Sequence, residues 1–373
     1  MTTRRHALVL LAAAPFIPNC APAQTPDAAA SWRHPDAAAA DPRRYALAHA
    51  ILAPNPHNTQ AWQVAFDGDD GMTLYCDLER RLPFTDPPNR QITLGCGAFL
   101  ELYRLAAQGR AVEIAPFPEG EPDGLLDQRP VAHVKLGAPT GEAPDPLFAH
   151  IGARRTNRNV YDARTPEADK LQAIAAACAG PGLGAEAIAD ATRLTLCRDL
   201  VWRGFEREAQ TIGALEETYG WLRFGRADIA RHRDGLAVEG PMVGPLRTLG
   251  LLDHGELINP NSFANRQAEE DWRRKAMSAP AFMALMSEDD RPATRLRAGM
   301  AYARMNLTAT AQGLAMHPWS QTLQEYREMT DLYHEMYGFL NAGARKVQML
   351  VRVGYAAAVV PSARRDAGEF IRA

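Results

Sequence analysis

The sequence predicts an α+β protein made of two α+β units in one chain. Three observations carry that prediction. Helical periodicity and short alternating runs occur on both sides of residues 138–146, "APTGEAPDP", the clearest interior linker. The composition is ordinary for a globular protein, at 46% hydrophobic and 23% charged. With 373 residues the chain is long enough to bury two sizeable cores.

The elements follow in order. Residues 24–42, "QTPDAAASWRHPDAAAADP", are rich in Ala, Pro and Asp and read as a tether or a surface arm. "RRYALAHAILA" (43–53) is apolar at helical spacing and is stopped by Pro54 and Pro56, which lack the amide donor and clash with the preceding turn. "WQVAFDG" and "MTLYCDL" alternate around "DGDDG", a β-hairpin pattern. A helix is expected from about Thr93, with Gly109 as its stop, and "AVEIAPF" and "VAHVKLG" read as strands closing a first unit over 43–137.

The second unit, 147–373, opens with a short helix and the turn "RRTNR". A helix at 166–179, a strand at 191–198 and a long helix from Asp199 to about Leu215 are expected next. Residues 220–280 are irregular and rich in Gly, Pro, Asn and Trp, which suits a lid, a binding loop or several short helices. Helices return at 292–313 and 321–342, and "VQMLVRVGYA" reads as a buried strand before the tail "VVPSARRDAGEF".

Charge and cysteines exclude several classes. The net charge is −3 with no long run of one sign, which speaks against a dedicated nucleic-acid binder. Five scattered cysteines show no CxxC and no Cys/His spacing suited to zinc, so no metal site and no disulfide framework is read from them. The first 23 residues have a basic start, an apolar run from Ala7 to Ile17 and a small-residue site at Ala21-Pro22-Ala23, the layout of a cleaved export signal. Arg4-Arg5 before the apolar run fits the twin-arginine type, with an ordinary Sec signal as the alternative and a periplasmic location in either case. Lipidation at Cys20 is a further alternative, with Asn19 standing where a small residue is wanted. Cleavage removes two of 41 basic residues and none of 44 acids, leaving −5.

Two short motifs bear on chemistry. "RRTNR" sets Arg154, Arg155, Arg158 and Thr156 within five residues. Guanidinium forks, a hydroxyl and turn amides match the oxygens of a phosphate, or the run is a solvated basic turn paired with nearby acids. "PNPHNTQAW" (54–62) fixes the backbone with two prolines and presents Asn58 and Gln60. Those amides suit a ligand with ring carbonyls, ring N–H groups or hydroxyls, or the stretch is a helix stop before a core Trp62. "GLAMHPWSQ" carries Ser320 and Gln321, and "PSARR" places Arg364 and Arg365 beyond the last strand. His57 and His317 sit in these loops and read as orienting partners or surface residues rather than proton donors.

Together, "AILAPNPHNTQAWQ", "RRLPFTDPPNRQITLGCGAFLELYRLAA", "RRTNR", "SAPAFMALMSEDDRPATRLRAGMAYARMNLTATAQGLAMHPWSQTLQEY" and "RVGYAAAVVPSARR" resemble the nitroreductase-like flavoprotein superfamily. The nearest resemblance is to its Acg-like branch and its twin-arginine-exported bacterial members. Ordinary members are homodimers binding two FMN molecules at the subunit interface, and the Acg-like branch fuses two such units. The resemblance therefore implies an intrachain pseudo-dimer, monomeric or paired again as a homodimer. It implies that Arg154, Thr156 and Arg158 approach the phosphate and ribityl chain of FMN, with Arg364 and Arg365 adding to the phosphate site. Asn55, Asn58 and Gln60 would reach the same FMN from the first unit, and Ser320 and Gln321 would run past the reacting face.

Asn55 and Pro56 stand where ordinary members have serines, and the first unit offers only "DPRRYA" (41–46) in place of "RRTNR". One FMN per chain is expected. The implied activity is two-electron hydride transfer from a small-molecule donor such as NAD(P)H, through FMN, to a nitroaromatic, quinone or similar acceptor, with no catalytic side chain named. The alternatives are an FMN-holding protein whose flavin lies under a lid formed by 220–280, and a member that has lost FMN. Export by the twin-arginine machinery completes the expectation.

Overall fold

The computed structural model describes residues 27–33 and 40–372. The expected export signal, Cys20 and part of the 24–42 arm lie outside the described residues.

Asp41 starts the first helix by accepting the amide of Arg43, with Pro42 at the first helical position, where its missing N–H removes no bond. That helix, α1 (Pro42–Ala50), leads through the 54–60 loop to β1 (Trp62–Asp67) and β2 (Gly71–Cys76), paired antiparallel from Trp62↔Cys76 to Asp67↔Gly71. The helix α2 (Arg90–Ala106) begins three residues before the expected Thr93. Its start is fixed by Asp86, whose carboxylate accepts the amides of Gln91 and Ile92. β3 (Arg110–Pro116) and β4 (Ala132–Pro139) complete an antiparallel sheet of order β1-β2-β4-β3.

The second unit repeats that plan. α3 (Ala168–Ala177) precedes β5 (Leu183–Ile188). The chain then makes α4 (Ala191–Ala209), α5 (Ile212–Gly220), β6 (Leu222–Phe224), α6 (Gly225–His232), β7 (Leu236–Val238), α7 (Val243–Thr248), α8 (His254–Leu257) and α9 (Phe263–Met277). It rejoins the plan with β8 (Ala281–Ser287), α10 (Pro292–Ala311), β9 (Ala315–Pro318), α11 (Thr330–Phe339) and β10 (Lys346–Gly354). The sheet order is β5-β8-β10-β9: first, second, fourth, third strand, as in the first unit. An insertion of helices between the unit's first and second strands replaces the short hairpin turn of the first.

That insertion explains two burial patterns. β4 alternates buried with more exposed positions, and β3 half-buried with exposed ones, as strands with one solvated face do. β8 is buried at every position, and β10 at all but its first. Met283, Leu285, Val351 and Val353 pack toward α3 and α10, while Phe282, Ala284, Met286 and Leu350 pack under α4 and α11.

Two expectations need correcting. The stretch 191–198 is the start of α4, not a strand: Asp190 accepts the amide of Arg193, and the buried Leu194, Cys197, Leu200 and Val201 recur at helical spacing. The strand lies just before it, as β5. Residues 321–342 form two single 3₁₀ turns before α11 rather than one helix. Of the alternatives for residues 220–280, the several short helices are what the chain forms, joined by a two-stranded parallel ribbon, β6 with β7.

The two units meet where α2 crosses α10. A Cβ on Gly97 would lie 2.1 Å from the Leu296 carbonyl, and one on Gly299 would lie 2.1 Å from the Leu94 carbonyl. Each glycine thus faces its counterpart's preceding turn, a reciprocal contact of the kind a two-fold symmetric dimer makes.

Candidate functional site

The segment 154–158 lies along the edge of the second sheet. Thr156 forms a parallel bridge with Met316 in β9, and the Asn157 amide donates to the Met316 carbonyl at 3.0 Å. The arginine turn is thereby an extra edge beside the loop that carries Ser320 and Gln321.

Arg154 is 2% exposed, and its Nη2 donates to the Leu52 carbonyl of the first unit at 3.1 Å. Its Nε and Nη1 have no protein partner, and burial lowers its pKa to about 10. A buried guanidinium with two unbonded donors and no counter-ion is a costly arrangement unless an anion completes it. Arg158 is exposed to water, and desolvation of its guanidinium by the surrounding chain lowers its pKa below the usual value. Arg154, Arg155, Arg158, Arg352, Arg364 and Arg365 form no ion pair with a carboxylate among the described residues.

Arg364 and Arg365 divide the work of the tail. Arg364 is buried, and its donors go to the carbonyls of Ile51, Ala53 and Ala363, to Ser362 Oγ and to Asn58 Oδ1. It therefore ties the tail to the end of α1 rather than presenting a free fork. Arg365 donates Nη2 to the Gln60 carbonyl at 2.6 Å and leaves its Nε without a partner.

The 54–60 loop is held in a strained form. His57, Asn58 and Gln60 have positive φ angles of 47°, 54° and 53°. Each such residue costs about 1–2 kcal/mol without glycine's freedom, so tertiary bonds must hold the loop. Asn55 Oδ1 accepts the Gln60 amide. Asn58 Nδ2 donates to the carbonyls of Gly235 and Ala363, and Gln60 Nε2 donates to that of Arg233. Gln60 Oε1 accepts the Arg365 amide. The amides of Asn55, Asn58 and Gln60 thus fasten the loop, the tail and the insertion together.

Burial first, and then the charge of Arg158, pushes the pKa of His57 down to about 4, and its Nε2 lies 3.3 Å from Thr218 Oγ1 on α5. His317 is likewise kept neutral: burial and the nearby guanidinium of Arg352 hold its pKa well below the ordinary value. Arg352 Nε donates to its Nδ1 at 3.1 Å. Neither histidine is set up to release a proton near neutrality.

Ser320 Oγ bonds with the Leu350 backbone, accepting its amide at 3.1 Å and donating to its carbonyl at 3.0 Å. Gln321 Oε1 has no protein partner, like Thr322 Oγ1, Gln324 Oε1 and the Tyr326 hydroxyl. Across from them Glu208 on α4 accepts Gln324 Nε2 at 2.9 Å, and burial raises its pKa.

The structure therefore brings Arg154, Thr156, Arg158, Arg365 and the 54–60 loop to one junction, with Ser320 and Gln321 along the adjoining loop. Three contributors escaped sequence reasoning. Arg352, 0% exposed and stacked 4.1 Å from the Tyr161 ring, had a signal: a lone arginine within an apolar strand. Glu208 and Trp32 had none.

No protein-family model matches the chain. Over 354 residues, 92% of this chain and 94% of the relative, the sequence is 27% identical to a Mycobacterium tuberculosis protein provisionally named NAD(P)H nitroreductase. It is 38% identical over 71 residues, 18% of this chain, to the M. tuberculosis protein acg, which carries the same provisional name and is matched over 21% of its length. Among solved structures, a Bacteroides fragilis nitroreductase with bound FMN is 19% identical, with a TM-score of 0.36 and coverage of 60% of this chain and 96% of that one. Over nearly its full length the chain is thus similar to a relative named as a nitroreductase.

Proposed function

We propose that the chain binds one FMN and acts as an oxidoreductase, taking a hydride from a reduced nicotinamide and delivering it to a nitroaromatic, quinone or similar acceptor. The observation that carries this reading is the buried Arg154, with two donors unbonded and no carboxylate on it or on Arg158. Such donors match the terminal oxygens of a phosphate monoester. The names of the relatives supply the reaction class.

When bound, FMN would supply the two-electron carrier between a donor that leaves oxidised and an acceptor that leaves reduced. The protein's share is binding and electrostatics. Arg154, Arg158 and the Nε of Arg365 would hold the phosphate end, with Thr156 between Arg154 and Arg158 in the turn. The loop at 54–60 closes the site from the first unit through backbone held in place by Asn55, Asn58 and Gln60. The site's positive charge favours an anionic reduced cofactor. No side chain is assigned as acid or base.

A second reading, a flavin holder with little turnover, is favoured by one specific observation. The insertion is docked onto the loop through His57–Thr218, Asn58–Gly235 and Gln60–Arg233, so bulky partners meet a closed wall. Export to the periplasm by the twin-arginine route is a further proposal resting on Arg4-Arg5 and the apolar run after them. Retention of unprocessed Arg4→Lys, Arg5→Lys precursor in the cytoplasm is the expected result there, and normal processing would replace it with the Sec reading.

The test of the main proposal is a visible absorbance spectrum of the purified protein, with mass spectrometry of what heat releases. Paired flavin bands with the mass of FMN are expected, followed by nicotinamide oxidation that depends on added acceptor. A protein that is colourless and takes up no added FMN overturns the proposal. Bound flavin that no donor reduces leaves the holder reading.

A further inference from the structure

Trp32 belongs to the Ala/Pro/Asp-rich arm, yet its side chain is 6% exposed. Its indole Nε1 donates to the Ser362 carbonyl at 2.8 Å, and the Arg364 amide donates to the Ala28 carbonyl at 2.9 Å. Three guanidinium carbons lie around its ring: Arg155 at 4.4 Å, Arg364 at 5.4 Å and Arg154 at 5.6 Å. None of the three has a carboxylate partner among the described residues.

Like-charged side chains held this close need something to hold them. A carboxylate would do so, but it would occupy the donors and cancel the charge. An aromatic face attracts the cations through its quadrupole and leaves every N–H free. Indole is the strongest of the protein rings in this respect. Trp32 therefore orders the arginines without neutralising them, and Arg154 keeps Nε and Nη1 available.

We infer that Trp32 is a positioning residue for the phosphate of the bound cofactor. Its ring forms the outer wall of the anion site, keeps Arg154 and Arg155 aligned and shields the phosphate from water. The arm at 27–33 then closes behind the cofactor and must lift for it to leave. The inference rests on the FMN reading above, and the ligand chemistry it requires is a phosphate monoester.

The test compares wild-type, Trp32→Ala and Trp32→Phe holoproteins for the rate at which FMN dissociates, read from recovered flavin fluorescence. Loss of the ring should speed release about tenfold, the effect of removing one to two cation–π contacts. Trp32→Phe should fall between, since it keeps a weaker ring and loses the bond to Ser362. Equal dissociation rates in wild type and both variants would overturn the inference. Should Trp32→Ala fail to fold, Trp32→Phe decides alone by the same criterion. If the wild-type protein binds no FMN, the proposed cofactor fails but the anion site is still tested by inorganic phosphate. Phosphate should raise the Tm of the wild-type protein more than that of Trp32→Phe, and equal shifts would sink the role of the ring.

Discussion

Each unit of the chain carries a pair of adjacent arginines near its first helix, and the two pairs have opposite fates. Arg43 and Arg44 lean on the Phe66 ring, at 5.0 and 5.4 Å. Arg154 and Arg155 lean on the Trp32 ring, at 5.6 and 4.4 Å. The difference is Asp41. Its carboxylate takes Nη2 of Arg43 at 3.0 Å and Nε at 3.2 Å, and lies 3.9 Å from Arg44. Arg43 is thereby completed by its own helix cap, while Arg154 has no acid and two donors to spare. On the proposed reading, the capacity to bind an anion would follow from the missing counter-ion, not from the number of arginines, and a nearly repeated fold would hold one cofactor site per chain.

The largest expected effect breaks that comparison directly. Arg154→Leu with Arg158→Leu should weaken FMN binding by at least about a hundredfold, since charged hydrogen bonds contribute roughly 1.5–3 kcal/mol each. Arg43→Leu should leave flavin content unchanged. Titration of apoprotein with FMN checks both. The cofactor-free stabilities should move in opposite senses. Replacing the unpaired Arg154 with an apolar side chain should leave the apoprotein as stable or more so. Replacing Arg43 should destabilise by up to about 1 kcal/mol, because it removes a partly exposed pair. Equal flavin loss from both positions would mean that the first unit's pair also binds the cofactor.

A smaller effect sharpens the same comparison at the seam. Gly97→Ala and Gly299→Ala each drive a methyl into the opposite helix's backbone, and each should cost about 1–3 kcal/mol in denaturant unfolding. Gly338→Ala, in α11 with open space at its Cβ position, should instead stabilise by about 0.4–1 kcal/mol. Equal penalties at 97 and 299 would show that the two halves share one contact. A penalty at only one would show that the helices have slipped out of the reciprocal arrangement.

What was legible in the sequence divides along local and long-range lines. The hairpin at 62–76 and the helices α1 and α10 follow from periodicity, Gly-Asp turns and prolines at helix starts, all set within a few residues. The start of α4 was misread because Thr and Leu at 192–196 look strand-like locally, while its helical stripe extends beyond that window to Val201. The arginine turn was legible as charge. Its lack of counter-ions was not, because that depends on packing against Trp32, far away along the chain, and on Leu52 in the other unit. The amides of the 54–60 loop were expected to face the cofactor, and the fold spends them on its own tail and insertion. An amide's preference for a partner is local information; which partner arrives first is not.

The smallest effect is a titration, and it tests whether the two units share one electrostatic site. His57 comes from the first unit and Arg158 from the second. Burial is the larger cause of the lowered His57 pKa of about 4, and Arg158 is the smaller. A histidine whose folded-state pKa is depressed contributes stability that is complete above its unfolded value, about 6.5, and is lost as pH falls toward 4. Unfolding free energy should therefore decline as the pH is lowered through that window, and the decline should flatten in His57→Gln. Arg158→Leu removes the smaller cause alone, so the His57 pKa should rise part of the way toward 6.5, as read by NMR of the labelled imidazole. An unmoved pKa would place Arg158 too far from the loop to act on it, and the cationic turn and the amide loop would then be separate features rather than two walls of one site.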